Sequence, residues 1–310
     1  MTKQMSIPVT HTFEQITHLA AQRVKAGTKI RAAVVSGGAK ETFEALIRAV
    51  EEGLIEPIIV GARAEVRASI SGTVLDAAEI VDVDDIETAV SVASRMASEH
   101  KVDLVFADEY AADTIVSEIA RAESGFVPKG GTASSVAVLK PEKYPKLLLL
   151  SDCAVNATPD LKAKLGIVKN IVKVAGSLAI ENPRVAVLAA VEVVYPQMPV
   201  TMEGAVLAKM AERRQIKGAQ VDGPLSFDVA MDEFAATSKG ITRSPVAGQA
   251  DAFLAPNVEV ASGVYSAMSL FGCCERGSVI VGGAVPVVAA MRADSIDEIL
   301  NSLYLGVLSV

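Results

Sequence analysis

The chain has 310 residues, enough for two domains at roughly 100–200 residues each. Hydrophobic residues make up 51% and the mean hydropathy is +0.38, so a large core can be buried and wholesale disorder is excluded. Aromatic residues are only 4%, tryptophan is absent and the net charge is −8, which argues against a base-stacking platform and a nucleic-acid-binding face. An anionic substrate stays open, provided a few cations are focused at one site.

Three cysteines make no disulfide framework, and residues 1–12 are polar, without the apolar segment of a secretory signal. The longest apolar stretches, residues 185–194 and 279–291, are broken by Glu192 and by Gly282, Gly283 and Pro286. Neither reaches the ~18 unbroken residues of a membrane span. The expectation is a cytoplasmic protein with no membrane partner. The only histidines, His11, His18 and His100, lie in the first third, which argues against a Ser-His-Asp triad or a multi-histidine zinc site.

In chain order, β-branched runs alternate with alanine-rich helical patterns. Residues 30–35 (IRAAVV) read as a strand, followed by the Gly37–Gly38 pair and a helix over 41–53. Residues 56–60 form the next strand, then a short helix from Ala62, a strand over 78–83, a helix over 85–100 and a strand over 102–106. This alternation predicts an α/β chain with a mainly parallel sheet. Residues 134–139 and 146–150 then lie close enough for a hairpin rather than a crossover. A long helix follows over 158–179, with Pro159 in its first turn, where the missing N–H costs little. Strands over 184–188, 219–223, 253–255 and 278–281 alternate with helices over 200–214, 226–238 and 263–271, and an amphipathic helix over 295–308 closes the chain. The plain reading is two α/β lobes, the C-terminal helix returning to the first.

Several strand ends carry candidate chemistry. Gly37–Gly38 offers backbone N–H groups to a phosphate, or is a plain tight turn; neither the dinucleotide fingerprint nor a P-loop is present. Asp152 and Asn156 follow a strand, where α/β proteins place ligands, though loop backbone would use them equally well. Asp222 and the Asn257/Glu259 pair stand at two further strand ends, without metal-ligand spacing toward His or Cys. The vicinal Cys273–Cys274 lacks C-x-x-C spacing. Lys129-Gly130-Gly131-Thr132 and Arg292-Ala293-Asp294-Ser295 each set a cation beside small or hydroxyl-bearing residues, as a phosphate site requires.

Read in order, these segments resemble the phosphate acetyl/butyryltransferase family. The likeness is carried by residues 147–159 (LLLLSDCAVNATP), 180–185 (IENPRV), 192–199 (EVVYPQMP), 208–213, 221–228 (VDGPLSFD), 239–241, 245–251 (PVAGQAD), 256–259, 292–295 (RADS) and 301–303. The resemblance implies two doubly wound α/β lobes with a cleft between them, similar to the isocitrate/isopropylmalate dehydrogenase architecture. The first lobe is expected from residues 1–136 plus 286–310, the second from 137–285. It also implies a homodimer that moves a short or branched acyl group from acyl-coenzyme A to inorganic phosphate, giving acyl phosphate and coenzyme A. Coenzyme A is then a substrate, with no further cofactor and no metal.

Carried onto this chain, the resemblance implies Arg292 as the phosphate contact and Asp294 or Glu298 as the acid–base group. Lys129, with Gly130 and Thr132, is the cationic helper; Asp222, Asn257 and Glu259 line the cleft, with Asp152 and Asn156 at its mouth. The chain departs from the family at Met291, where a serine is usual, at Ala107, Asp108, Ala111 and Ala112, where Lys-Gly and Asn-Thr are usual, and at Tyr195, Gln197, Ala261 and Ser262. Two further readings therefore stand beside the transferase: a catalytically weakened paralogue that binds a coenzyme A derivative or acyl ligand, and a metal-dependent dehydrogenase of the related architecture.

Overall fold

A computed structural model describes residues 10–310 except Ala26 and Thr28. Residues 1–9, most of the polar stretch taken as lacking a signal, lie outside the described residues.

Helix α1 (Phe13–Lys25) precedes β1 (Arg31–Val35), α2 (Lys40–Glu51), β2 (Glu56–Gly61), α3 (Arg63–Ile70), β3 (Glu79–Asp82), α4 (Ile86–Ser98), β4 (Leu104–Ala107) and α5 (Ala112–Ala120). The hairpin β5 (Ser134–Lys140) and β6 (Leu148–Ser151) follows, then α6 (Leu161–Ser177), β7 (Arg184–Leu188), α7 (Pro199–Glu212), β8 (Gln220–Leu225), α8 (Phe227–Met231) and α9 (Glu233–Ser238). The chain closes with β9 (Ala252–Leu254), α10 (Val258–Phe271), β10 (Glu275–Val281), β11 (Val287–Ala289) and α11 (Ile296–Ser309).

Among the described residues eleven strands join one sheet, in the order β3-β2-β1-β4-β11-β10-β5-β6-β9-β7-β8. The first five in that order are mutually parallel, as are the last four. Between them β10 runs antiparallel to β11 and β5, and β5 antiparallel to β6. The two parallel halves thus point in opposite directions across a central antiparallel seam.

The seam is built by alternation. Val136 and Val138 of β5 and Val279 and Val281 of β10 face one side, where α6 and α11 cover them in a core that runs from Ile80 to Val221. On the other side the core is divided. One cluster gathers Val35, Val105, Ile115 and Phe126; the other gathers Leu148, Leu150, Val229 and Phe253. Between them lie Ser135 and Ser278, too small and polar to carry a core across. Helix α11 presses close to β10: a side chain at Gly277 would stand 2.9 Å from the Asn301 carbonyl carbon, and the Ser278 N–H donates to Ser302 Oγ at 2.9 Å.

Most of the anticipated elements form, with local corrections. The single helix expected over 226–238 is two, because Asp232 leaves helical geometry and caps α9 by accepting from the Ala235 N–H. Helix α10 begins earlier than expected, with Asn257 as its N-cap. Helices α1 and α5 and the three-residue β11 were not anticipated.

The Gly37–Gly38 turn is not an open phosphate site. Its Gly37 N–H is taken by Asp108, fully buried at the end of β4, and its Gly38 N–H by Ser36 Oγ at 3.1 Å. Asp108 Oδ2 accepts from Ser36 Oγ at 3.0 Å and from the Gly37 N–H at 2.6 Å, while Oδ1 accepts from the Tyr110 and Ala111 N–H groups at 3.0 and 3.1 Å. An acid at this position therefore fastens two loops. Asp108→Ala strands these buried donors and is expected to cost about 3 kcal/mol, measured by urea unfolding.

Candidate functional site

The divided face of the seam holds a trough of about 460 Å³. Its floor is Ser135 and Ala137 of β5 with Ser278 and Arg276 of β10, neighbours because alternate residues of paired strands share a face. Ser262, Tyr265, Ser266, Ser269 and Leu270 of α10 form one wall, and Met291, Ala293 and Asp294 of the loop after β11 form another. Cys153 and Ala154 close the end next to β6.

One cation stands in this lining. The Arg276 Nη2 lies 3.1 Å from Glu298 Oε1 and 3.9 Å from Asp294 Oδ1, and the guanidinium sits 5.7 Å from the Tyr265 ring centre. Its Nε is buried without a hydrogen-bond partner. Asp294 is 10% exposed; burial pushes its carboxyl above the usual range, the charge on Glu298 adds to this, and the Met291 N–H and Arg276 oppose it. Burial raises the Tyr265 phenol as well. Glu298 is fully engaged: its Oε1 meets Arg276, while its Oε2 accepts from the Ser295 N–H at 2.8 Å in a capping box that starts α11. Arg292, between Met291 and Ala293, is exposed.

A second cavity of about 760 Å³ opens beside the trough, among the segment that leads into β5, the loop after β6 and the start of α6. It gathers the expected Lys129, Gly130, Thr132 and Asn156, and adds Lys162 and Asp160. The loop that follows β6 separates the two spaces, with Cys153 and Ala154 on the trough and Val155 and Asn156 on the second cavity. Asp152 holds this loop rather than standing at a mouth. It is buried, and its carboxylate accepts from the Ser135, Ala154, Val155 and Asn156 N–H groups, Ser135 Oγ and the Asn156 amide at 2.6–3.1 Å. With all its donors internal, no lone pair is left for a ligand.

Three expected cleft residues lie elsewhere. Asp222 lines a groove between α7 and β8 and accepts from its own neighbour, the Gly223 N–H, at 2.9 Å. Asn257 spends its side-chain oxygen on the Val260 N–H as the α10 cap, and Glu259 is exposed in the first turn of that helix. The motifs at 192–199, 221–228 and 239–241 converge instead on an ion cluster, where Lys239 Nζ donates to Glu192, Ser226 and Asp228 at 3.1–3.2 Å. Hydrogen bonds from Ser226 and Lys239 hold the Asp228 carboxyl down to about 2. Sequence reasoning missed Arg276 and Tyr265. Arg276 escaped because the strand was expected only from Ser278; a charge two residues before a small residue, on the same strand face, was the available signal.

Among the described residues no group of three or more His, Cys, Asp or Glu is placed to hold a metal ion, and no helix is long and apolar enough to cross a membrane.

Comparison with known proteins identifies relatives of the whole chain. The family described as phosphate acetyl/butaryl transferase matches residues 85–307. The phosphate butyryltransferase of Clostridium acetobutylicum is 39% identical over 289 residues, covering 92% of this chain and 95% of that one. The phosphate acetyltransferase of Thermotoga maritima is 35% identical over 276 residues, covering 88% and 93%. The crystal structure of a branched-chain phosphotransacylase from Enterococcus faecalis V583 matches with a TM-score of 0.74 at 26% identity, covering 90% of this chain and 98% of that one.

The trough thiol is expected to be inert. Burial, with the Asp152 carboxylate adding to it, pushes Cys153 up to about 12, whereas Cys273 is exposed. At pH 7.5 iodoacetamide should label Cys273 well over tenfold faster than Cys153, followed by peptide mass spectrometry.

Proposed function

Since the chain belongs to the phosphate acetyl/butaryl transferase family, we propose that the trough on β5 and β10 is where its acyl transfer takes place. The chain is a phosphate acyltransferase, moving an acyl group between coenzyme A and inorganic phosphate. The observation that carries the placement is the meeting of Arg276, Asp294 and Glu298 at an otherwise largely apolar trough, on the 292–298 stretch where the resemblance puts the catalytic groups.

The chemistry follows from these groups. In the direction that consumes acyl phosphate and makes the thioester, the Asp294 carboxylate takes the thiol proton of coenzyme A. The sulfur lone pair forms the C–S bond, the C–O bond to phosphate breaks, and phosphate leaves. In reverse, the protonated Asp294 returns the proton to the departing thiolate. A carboxyl pushed upward by burial suits both directions better than an ordinary one. Asp294 is preferred to Glu298, whose oxygens are committed to Arg276 and the helix cap. The Tyr265 hydroxyl supplies a donor near the reacting carbonyl, a role Met291 cannot fill. Arg292, exposed beside the trough, takes the phosphate.

Ala137, Ala154, Leu270 and Met291 favour a short or branched acyl chain. The neighbouring cavity takes the phosphates of coenzyme A on Lys129 and Lys162, with Gly130, Thr132 and Asn156 around them. Coenzyme A is a substrate in this reading, with no separate cofactor. The lobes divide at the seam, where the core on one face is split. A cytoplasmic homodimer completes it, for which exposed Val193, Phe234, Leu270 and Phe271 offer apolar surface. The weakened-paralogue reading loses part of its motive once Asp108 is seen to fasten loops, and the relatives' names favour a working transferase over it and over the dehydrogenase.

The test is phosphate-dependent release of coenzyme A from a panel of acyl esters from acetyl to isovaleryl and benzoyl. Release is expected with short or branched esters. Arg292→Ala should abolish it, and Asp294→Asn should lower kcat by about 10²–10⁴. No release across the panel, with thermal stabilisation by the same esters, would leave a binding protein instead.

A further inference from the structure

We propose that Arg276 is a positioning residue for the acid–base step, clamping Asp294 and Glu298 together so that Asp294 stays ionised and aimed into the trough. The inference rests on the reading of the trough as the transfer site.

The argument begins with charge. Asp294 and Glu298 sit one helical turn apart around the start of α11, and both approach the same Arg276 nitrogen, Nη2. Two carboxylates sharing a small, dry space do not both ionise readily, and one is driven to hold a proton. The groups facing Asp294 are Glu298 on α11, Arg276 on β10, Tyr265 on α10 and Cys153 after β6. Tyr265 and Cys153 are neutral near pH 7, since burial raises both. Arg276 is thus the one cation in this set. Arg292, on the same loop as Asp294, is exposed and forms no ion pair among the described residues.

The clamp is also rigid. Glu298 cannot swing to follow Arg276, because its second oxygen caps α11. Asp294 is fixed by the Met291 N–H on Oδ2 at 2.9 Å, which leaves Oδ1 toward Arg276. Arg276 itself is 16% exposed, lies over the Tyr265 ring and buries its Nε without a partner, so packing and the ion pairs hold it in place.

The sign follows directly. Burial and Glu298 push the Asp294 carboxyl upward, and Arg276 pulls it down. Removing the guanidinium leaves only the upward influences beside the Met291 N–H. A base is lost as pH falls through its pKa, so the acid limb of the rate moves to higher pH.

The experiment compares wild type with Arg276→Gln, Arg276→Met and Arg276→Lys. It records kcat/KM against pH for acyl phosphate and coenzyme A, together with a ¹³C carboxyl NMR titration of Asp294 assigned through Asp294→Asn. In Arg276→Gln or Arg276→Met, whichever is folded by circular dichroism, both the acid limb and the Asp294 titration should rise by about one pH unit. Arg276→Lys, which keeps the charge, should restore most of that shift. An Asp294 titration and acid limb that stay in place in the neutral variants would overturn the clamp, whatever happens to the rate. If wild type turns over no ester at all, the transfer reading falls by itself; the NMR titration still decides whether Arg276 governs Asp294.

Discussion

A wide sheet needs its faces covered, and the antiparallel pair β5–β10 sets where that cover may break. Its register puts Val136, Val138, Val279 and Val281 on one face and Ser135, Ala137, Ser278 and Arg276 on the other. The valine face lets one core continue beneath both halves, closed by α6 and α11. The opposite face has too little apolar side chain to join its flanking cores, so α5 and α10 stand apart and a trough is left between them. Shifting the pairing by one residue would send serines into the core and valines into the trough. The trough therefore follows from the register of two strands more than from any loop.

Two buried aspartates and a partly buried one around this frame meet different fates because their partners differ. Asp108 and Asp152 are surrounded by N–H and O–H donors from their own loops, and each spends both oxygens on fastening chain at a strand end. Asp294 has one such N–H, an arginine at 3.9 Å and a second carboxylate close by. Its carboxyl is consequently pushed upward by burial first, with the neighbouring charges acting on what the single N–H leaves unsatisfied, which suits a proton carrier. The same side chain is structural where backbone satisfies it and free for chemistry where backbone does not.

Much of the frame was legible in the sequence. Alternating β-branched runs and alanine-rich patterns marked most strands and helices, and the spacing of residues 134–150 correctly announced a hairpin within a mainly parallel sheet. The ordered motifs pointed to the transferase family, which the comparisons bear out. The site was only partly readable. Asp294 and Glu298, named as alternatives for one acid, both approach Arg276, and Lys129 and Asn156 share a cavity. Asp152 and Asn257 were left between a ligand role and loop or cap duty, because a sequence does not tell a ligand-facing oxygen from one satisfied by nearby N–H groups. Arg276 was missed because its partners are 18 and 22 residues away and meet it only through the packing of α11 on β10.

The most direct test of the central claim is a crystal structure with a thioether analogue of a short acyl-coenzyme A, which cannot transfer its acyl group. The account predicts the acyl carbon over Ala137 and Ser278, between Tyr265 and Met291, with the sulfur beside Asp294 and the coenzyme phosphates toward Lys129. Density for the acyl end outside this trough, for instance in the groove beside Asp222, would contradict it.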